Sequence, residues 1–273
     1  MHPILIQIGP LTIASYGFLF ALGVLLGALL CLWLARREGL ELGVVTDFIF
    51  WVMLLSLLGA KLWLLASNLG YYRKFPGEIK YLLTSGGSFH GGLIFGAVFA
   101  VWFIRRHRLS YRQLGDIAAP GLALGHFFGR LGCFAAGCCW GREAAHFPLA
   151  VTFTDLKANA LTGVPLYIPV YPTQLMEAFL NLANFLFLIV LYGKRRFRGQ
   201  VIAVYILNYS LIRFALEFFR GDPDRGYVIG GMDRPWTSLS LPQLVSLIGL
   251  ATALLLLRGF KRKGEREDRA AGR

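Results

Sequence analysis

Charge is what this chain has least of. Asp, Glu, Lys and Arg make up 16% of its 273 residues, well short of the roughly 25% of a soluble domain. Hydrophobic residues account for 56% and aromatics for 14%, so a water-soluble globule is excluded and a membrane protein is expected. Internal symmetry is also missing. No solenoid-period repeat and no inverted repeat is visible, which removes support for a transporter built from two matched halves. The opening MHPILIQIGP has no basic segment, so the first apolar run is expected to stay as a helix and not to be a cleaved signal peptide. Cysteines number four, and the C-x4-C-C spacing of Cys133, Cys138 and Cys139 lacks the C-x2-C pairing of zinc sites. No metal and no cofactor is expected.

What the chain does have is apolar runs long enough to cross a bilayer, near 11–34, 44–67, 91–105, 114–132, 174–193, 200–219 and 239–257. The fold class expected is therefore an all-α integral membrane protein of about seven transmembrane helices, within one polytopic domain of residues 1–260. The net charge of +13 is concentrated at alternate run ends, at Arg36 and Arg37, at Arg105 to Arg112, at Lys194 to Arg198 and beyond Arg258. That alternation writes topology and does not imply nucleic acid; it puts the N-terminus outside and the C-terminus in the cytoplasm. Residues 133–173 form a long segment with extended, proline-punctuated stretches (LAVTFTD, GVPLYIPVYP), expected as a small external head. Residues 261–273 form a charged tail, expected as frayed helix or disordered chain.

A few polar residues inside the runs need a reason. In NYSLIRFALEFFRGD, residues 208–222, Tyr209, Arg213 and Glu217 recur at intervals of four on one helix face, with Arg220 beyond them. Each charge near a bilayer centre costs about 2.5–3.5 kcal/mol. Two readings stand: a structural ion pair that locks helices, and a functional site. In SGGSFHGGLIFG, residues 85–96, His90 lies between two glycine pairs at a helix start. It is either a hydrogen-bonded packing residue or, with the backbone N–H groups of Gly91 and Gly92, a group for anion binding and proton transfer. Tyr16 in SYGFLFALG reads as an interfacial-belt tyrosine or a site residue.

Arg130 stands beside Gly129 and Gly132, and YPTQLMEAF supplies Gln174 and Glu177. Followed along their runs, these residues with Tyr16, His90, Arg213 and Glu217 fall at similar depth in the outer half of the membrane. Arginines and a histidine near lipid headgroups can hold a phosphate bidentately and move a proton, so a phospholipid is the expected ligand.

The most unusual stretch is GRLGCFAAGCCWGR, residues 129–142, where two arginines bracket three cysteines. Cys31 is expected to pack as a small hydrophobe. Cys133, Cys138 and Cys139 are read as packing residues, with a disulfide from Cys133 to Cys138 or Cys139 as the alternative in an oxidising exterior.

Five segments, SYGFLFALG, GGSFHGGL, GRLGCFAAGCCWGR, YPTQLMEA and RFALEFFR, resemble in order the signature segments of the prolipoprotein diacylglyceryl transferase family. The resemblance spans roughly residues 5–257. It implies a multi-pass enzyme of the bacterial cytoplasmic (inner) membrane. Such an enzyme moves the diacylglyceryl group of phosphatidylglycerol onto the lipobox cysteine of a prolipoprotein signal peptide and releases glycerol-1-phosphate. It also implies a phosphatidylglycerol-binding arginine at Arg130, an essential histidine at His90, an arginine and glutamate at Arg213 and Glu217, and tyrosines at Tyr16 and Tyr209. Arg213 and Arg220 join Arg130 as phosphate ligands in this reading. His90 is the first candidate for the base that takes the thiol proton, with Glu217 or a second, arginine-assisted route as competitors.

The chain departs from the family pattern in three places. Cys133, Ala136 and Cys138 stand where the family often has Asn, Asn and Glu; Lys61 replaces an arginine; Tyr171 replaces a histidine. Arg130, Gly132, Gly137, Trp140 and Gly141 match the pattern. Two other function classes share these residues: a phospholipid-binding or transport protein without chemistry, and a thiol-redox protein using Cys133, Cys138 and Cys139.

Overall fold

The computed structural model describes residues 3–9, 11–82, 87–223, 225–234 and 236–270. The chain packs as two compact units, one made of Met1–Cys31 with Gly115–Arg273 and the other of Leu32–Leu114.

The larger unit opens with a hairpin, β1 (Ile4–Ile8) against β2 (Leu11–Ala14), with Ile6 opposite Ile13 and Gln7 opposite Thr12. This pairing takes residues 11–14 out of the first apolar run, so helix α1 begins at Ser15 and ends at Arg37. Gly23 and Gly27 on α1 cross Gly121 and Gly125 on α5 (Tyr111–Ala136). A Cβ placed on Gly27 would stand 2.9 Å from the Gly121 carbonyl oxygen, and one on Gly121 would stand 2.8 Å from that of Gly27. The two small-xxx-small stripes therefore let the backbones touch, the usual way helices associate where no hydrophobic effect drives them together.

The smaller unit holds α2 (Leu42–Ser67), α3 (Leu69–Lys74), a 3-10 turn (Pro76–Leu82) and α4 (Phe89–Arg106). Helices α2 and α4 pack face to face, and the outward face of α2 leaves Phe50, Trp51, Leu54, Leu57 and Leu58 exposed.

Beyond α5 the head segment folds around strands β3 (Val151–Thr152) and β4 (Pro169–Val170), which pair antiparallel, and helix α6 (Leu156–Thr162). Asp155 caps α6 by accepting the N–H of Lys157 at 2.8 Å and of Ala158 at 3.1 Å. Phe153, Ala158, Val164 and Val170 make a small core under Phe134 and Trp140. Helices α7 (Thr173–Lys194), α8 (Gln200–Glu217) and α9 (Leu241–Ala270) complete the unit, with a short ribbon of β5 (Tyr227–Ile229) and β6 (Leu239–Ser240) between the last two. The charged stretch 261–270 continues α9 as helix, with Lys261 4.0 Å from Glu265 one turn on; residues 271–273 lie outside the described residues.

The expectation of about seven crossing helices is corrected here. A helix stands at every apolar run, but among the described residues four are long and apolar enough to cross a membrane: Ser15–Arg37, Leu42–Ser67, Thr173–Lys194 and Leu241–Glu267. The others are broken by polarity. Helix α4 has 18 residues, with His90 near its start and Arg105 and Arg106 at its end. Helix α5 carries Arg112, Asp116, His126 and Arg130, and α8 carries Asn208, Arg213 and Glu217 within its 18 residues. The charge alternation was read as an odd number of spans with the termini on opposite sides, and these four do not supply an odd count. An all-α, multi-pass membrane fold stands.

Candidate phosphate site

Helix α7 is inside out for a soluble protein and right for a membrane. Gln174, Glu177, Asn181 and Asn184 are buried along one face, while Phe179, Leu186, Phe187 and Val190 on the other are exposed. Burying so many polar groups is unfavourable unless they find partners. Glu177 faces Arg130 from the last turns of α5, with Oε1 3.0 Å from Nε. The Asn181 amide donates to the Glu177 carbonyl oxygen at 2.8 Å, and Asn208 of α8 donates to Asn184 Oδ1 at 2.9 Å. Gln174 Nε2 donates to the Cys138 carbonyl oxygen at 2.8 Å, and its Oε1 is buried without a hydrogen-bond partner.

The end of α8 makes the second half. Arg213 Nη1 stands 2.7 Å from Glu217 Oε2 across one helical turn, but the two atoms are not aligned as a hydrogen bond. The other carboxylate oxygen, Glu217 Oε1, accepts from Arg225 Nη1 at 3.0 Å. Arg225 also donates to the carbonyl oxygens of Asp222 at 2.8 Å and Arg220 at 3.2 Å, and to Tyr227 Oη at 3.0 Å. Arg220 is buried and clasps Asp222 with Nε at 2.6 Å from Oδ1. Burial works against the charge on Arg220, but the bonds to Asp222 outweigh it and hold the guanidinium above its ordinary pKa.

Backbone pairing fixes where these groups sit. Gly141 bridges Arg220; the Arg142 N–H donates to the Phe219 carbonyl oxygen at 2.9 Å, that of Gly221 to Trp140 at 3.0 Å, and that of Tyr171 to Arg142 at 2.9 Å. The segment carrying Trp140 to Arg142 is thus stitched between the start of α7 and the end of α8. Arg142 Nε donates to the Arg220 carbonyl oxygen at 2.9 Å, and burial lowers its pKa. Among the described residues of this cluster, five guanidiniums (Arg130, Arg142, Arg213, Arg220, Arg225) meet three carboxylates (Glu177, Glu217, Asp222). The excess of two positive charges suits a phosphate.

Tyr209 lies within hydrogen-bonding reach of Arg130. Tyr16 packs directly over Gly132, where a Cβ would come within 3.1 Å of its ring, so the glycine makes room for the tyrosine. His90, Gly91 and Gly92 belong to the smaller unit, at the start of α4. There the glycines serve packing: a Cβ on Gly91 would overlap Trp63, and one on Gly92 would stand 3.1 Å from the Ser56 carbonyl oxygen. The first glycine of the pair before His90 lies outside the described residues.

Sequence reasoning passed over His126, Arg225 and Asp222. His126 precedes Arg130 by four residues on α5; its ring stacks on Tyr209 at 4.6 Å and its Nδ1 is 3.2 Å from Tyr205 Oη. The i−4 spacing from Arg130 was the available signal. Arg225 comes back to Glu217 through a loop, and no periodicity announces that.

Cys133, Cys138 and Cys139 are free thiols whose sulfurs all lie within 4.8 Å of one another, beside Arg130. Cys138 Sγ donates to the Cys133 carbonyl oxygen at 3.8 Å, and Arg220 and Arg130 lie close enough to Cys139 to act on it electrostatically.

This arrangement meets its relatives over nearly its whole length. The chain matches the family described as prolipoprotein diacylglyceryl transferase over residues 3–258. It belongs to that family. It is 34% identical over 275 residues to the phosphatidylglycerol--prolipoprotein diacylglyceryl transferase of Nitratidesulfovibrio vulgaris (strain DP4), covering 97% of this chain and 96% of that protein. It is 32% identical over 271 residues to phosphatidylglycerol--prolipoprotein diacylglyceryl transferase 2 of Clostridium perfringens, covering 98% of each. The corresponding enzyme of Photobacterium profundum is 34% identical over 271 residues, covering 96% of this chain and 94% of its own. Family membership makes the chain a transferase-type enzyme of the membrane.

Proposed function

We propose that the chain transfers the diacylglyceryl group of phosphatidylglycerol to the lipobox cysteine thiol of prolipoproteins in the bacterial cytoplasmic membrane. The observation that carries this is the excess of guanidinium groups over carboxylates where α5, α7 and the end of α8 meet. The sulfur attacks the glyceryl carbon that bears the phosphate, forming a thioether. The carbon–oxygen bond breaks, its electron pair stays with the phosphate oxygen, and glycerol-1-phosphate leaves while a base takes the thiol proton. Arg130, Arg213 and Arg220 are assigned to the phosphate. Held rigidly by their carboxylate partners, they stabilise the departing charge without having to reorganise.

Tyr209 and Tyr16 flank Arg130 and Gly132 and are assigned to orienting the lipid. Glu217 stands between two arginines, and its assigned role is to position Arg213. The base is assigned to His90, because a neutral imidazole carries a ring nitrogen able to accept a proton. Gln174 and Glu177 support the site through Cys138 and Arg130.

The test is transfer by purified, reconstituted protein carrying Arg130→Ala or His90→Ala. Each is expected to lower transfer by at least about 10²–10³-fold with membrane insertion intact. Full activity in either variant removes that residue from its role.

A further inference from the structure

We propose that Cys133, Cys138 and Cys139 form a three-thiolate site for a thiophilic cation of the Zn2+ or Cu+ class. All three sulfurs lie within 4.8 Å of one another. Sulfurs that share one such ion at about 2.3 Å stand about 4 Å apart, so a small adjustment brings all three onto a common centre. A disulfide would use two of them and leave the third idle.

The turn that gathers them is built. Cys133 lies in the last turn of α5, and its carbonyl oxygen accepts the N–H of Gly137 at 3.0 Å and of Cys138 at 3.1 Å. Gly137 takes φ +81°, the left-handed conformation that ends a helix and folds the chain back over its last turn. Cys139 then takes φ +63° although it is not glycine, a conformation that costs on the order of 1–3 kcal/mol and persists only where the surroundings hold it. Two buried α7 side chains do so. Thr173 Oγ1 donates to the Cys139 carbonyl oxygen at 2.9 Å and Gln174 Nε2 to that of Cys138 at 2.8 Å.

Charge and softness agree with the geometry. Three thiolates around a divalent ion leave one negative charge, and Arg130 and Arg220 both act electrostatically on Cys139. Sulfur-only coordination favours Zn2+ and Cu+ over hard cations such as Mg2+ and Ca2+. The three sulfurs can hold such an ion whether or not the chain is a transferase.

The test uses the full chain in detergent, purified metal-free and reduced. Titration with Zn2+, and anaerobically with Cu+, against a chromophoric chelator is expected to show one ion per chain for at least one of the two metals. Cys133→Ser, Cys138→Ser and Cys139→Ser should each weaken binding by more than the roughly 10–100-fold that loss of a mere supporting group costs, while Cys31→Ser binds as wild type. Because a serine variant can fail to fold, alkylation of the wild type with and without metal is read by mass spectrometry. Protection of Cys133, Cys138 and Cys139 together, with Cys31 unchanged, is expected. No stoichiometric binding of either metal, protection of only two of the three, or unaltered affinity in any of the three variants overturns the site.

Discussion

Glu217 shows how a single residue carries two obligations. Its carboxylate stands between Arg213 and Arg225, with Glu217 and Arg225 buried. Removing one partner of a buried pair leaves an uncompensated charge, so Arg225→Ala is expected to destabilise the protein by about 3–5 kcal/mol, read as a lowered thermal midpoint in detergent. An unchanged midpoint would show that Glu217 does not rely on Arg225. The phosphate-binding role proposed for Arg130 depends on the geometry of its guanidinium as well as on its charge. Arg130→Lys keeps the charge and loses the planar fork, so transfer should fall by about tenfold or more, less than in Arg130→Ala; equal loss in both would mean that charge alone contributes nothing. The four-residue spacing of Tyr209, Arg213 and Glu217 makes one half of this cluster legible in the amino-acid sequence. Arg225 was not legible there, because a loop returns it from outside the helical period.

Among the elements, α5 carries Arg112, Asp116, His126 and Arg130, and this polarity keeps it out of the helices apolar enough to cross a membrane. Asp116 sits in this helix and accepts the N–H groups of Gly199 at 2.7 Å and Ile202 at 3.0 Å, satisfying the N-terminus of α8 from a neighbouring chain segment. Asp116→Ala should therefore cost about 1–2 kcal/mol, as loss of a helix cap does, and should loosen the first turn of α8 in hydrogen exchange; unchanged protection there would contradict the capping role. Further along, the Gly23/Gly27 and Gly121/Gly125 stripes were visible in the sequence as glycines at intervals of four, but which helix each would meet was not. The strands in the head segment were legible from alternation and proline. The hairpin before α1 was hidden, because its second strand is as apolar as the helix it precedes. The three-sulfur cluster was hidden for a similar reason: C-x4-C-C resembles no metal spacing until Gly137 turns the chain back on itself.

For the whole molecule, the charge of +13 on a mostly apolar chain and the guanidinium excess beside α7 both favour an anionic lipid. Phosphatidylglycerol at about 100 times its dissociation constant should stabilise the protein by about 2.7 kcal/mol, and phosphatidylcholine at the same concentration should do markedly less; equal shifts would mean bulk lipid, not a phosphate site, is responsible. Most decisive is a transfer experiment on the reconstituted protein with phosphatidylglycerol labelled either in its acyl chains or in its terminal glycerol, and a lipobox peptide as acceptor. The acyl label is expected on the peptide cysteine and the glycerol label in water-soluble glycerol phosphate, in equal amounts and both lost in Arg130→Ala. Binding of the lipid with neither label moving would contradict the transferase reading.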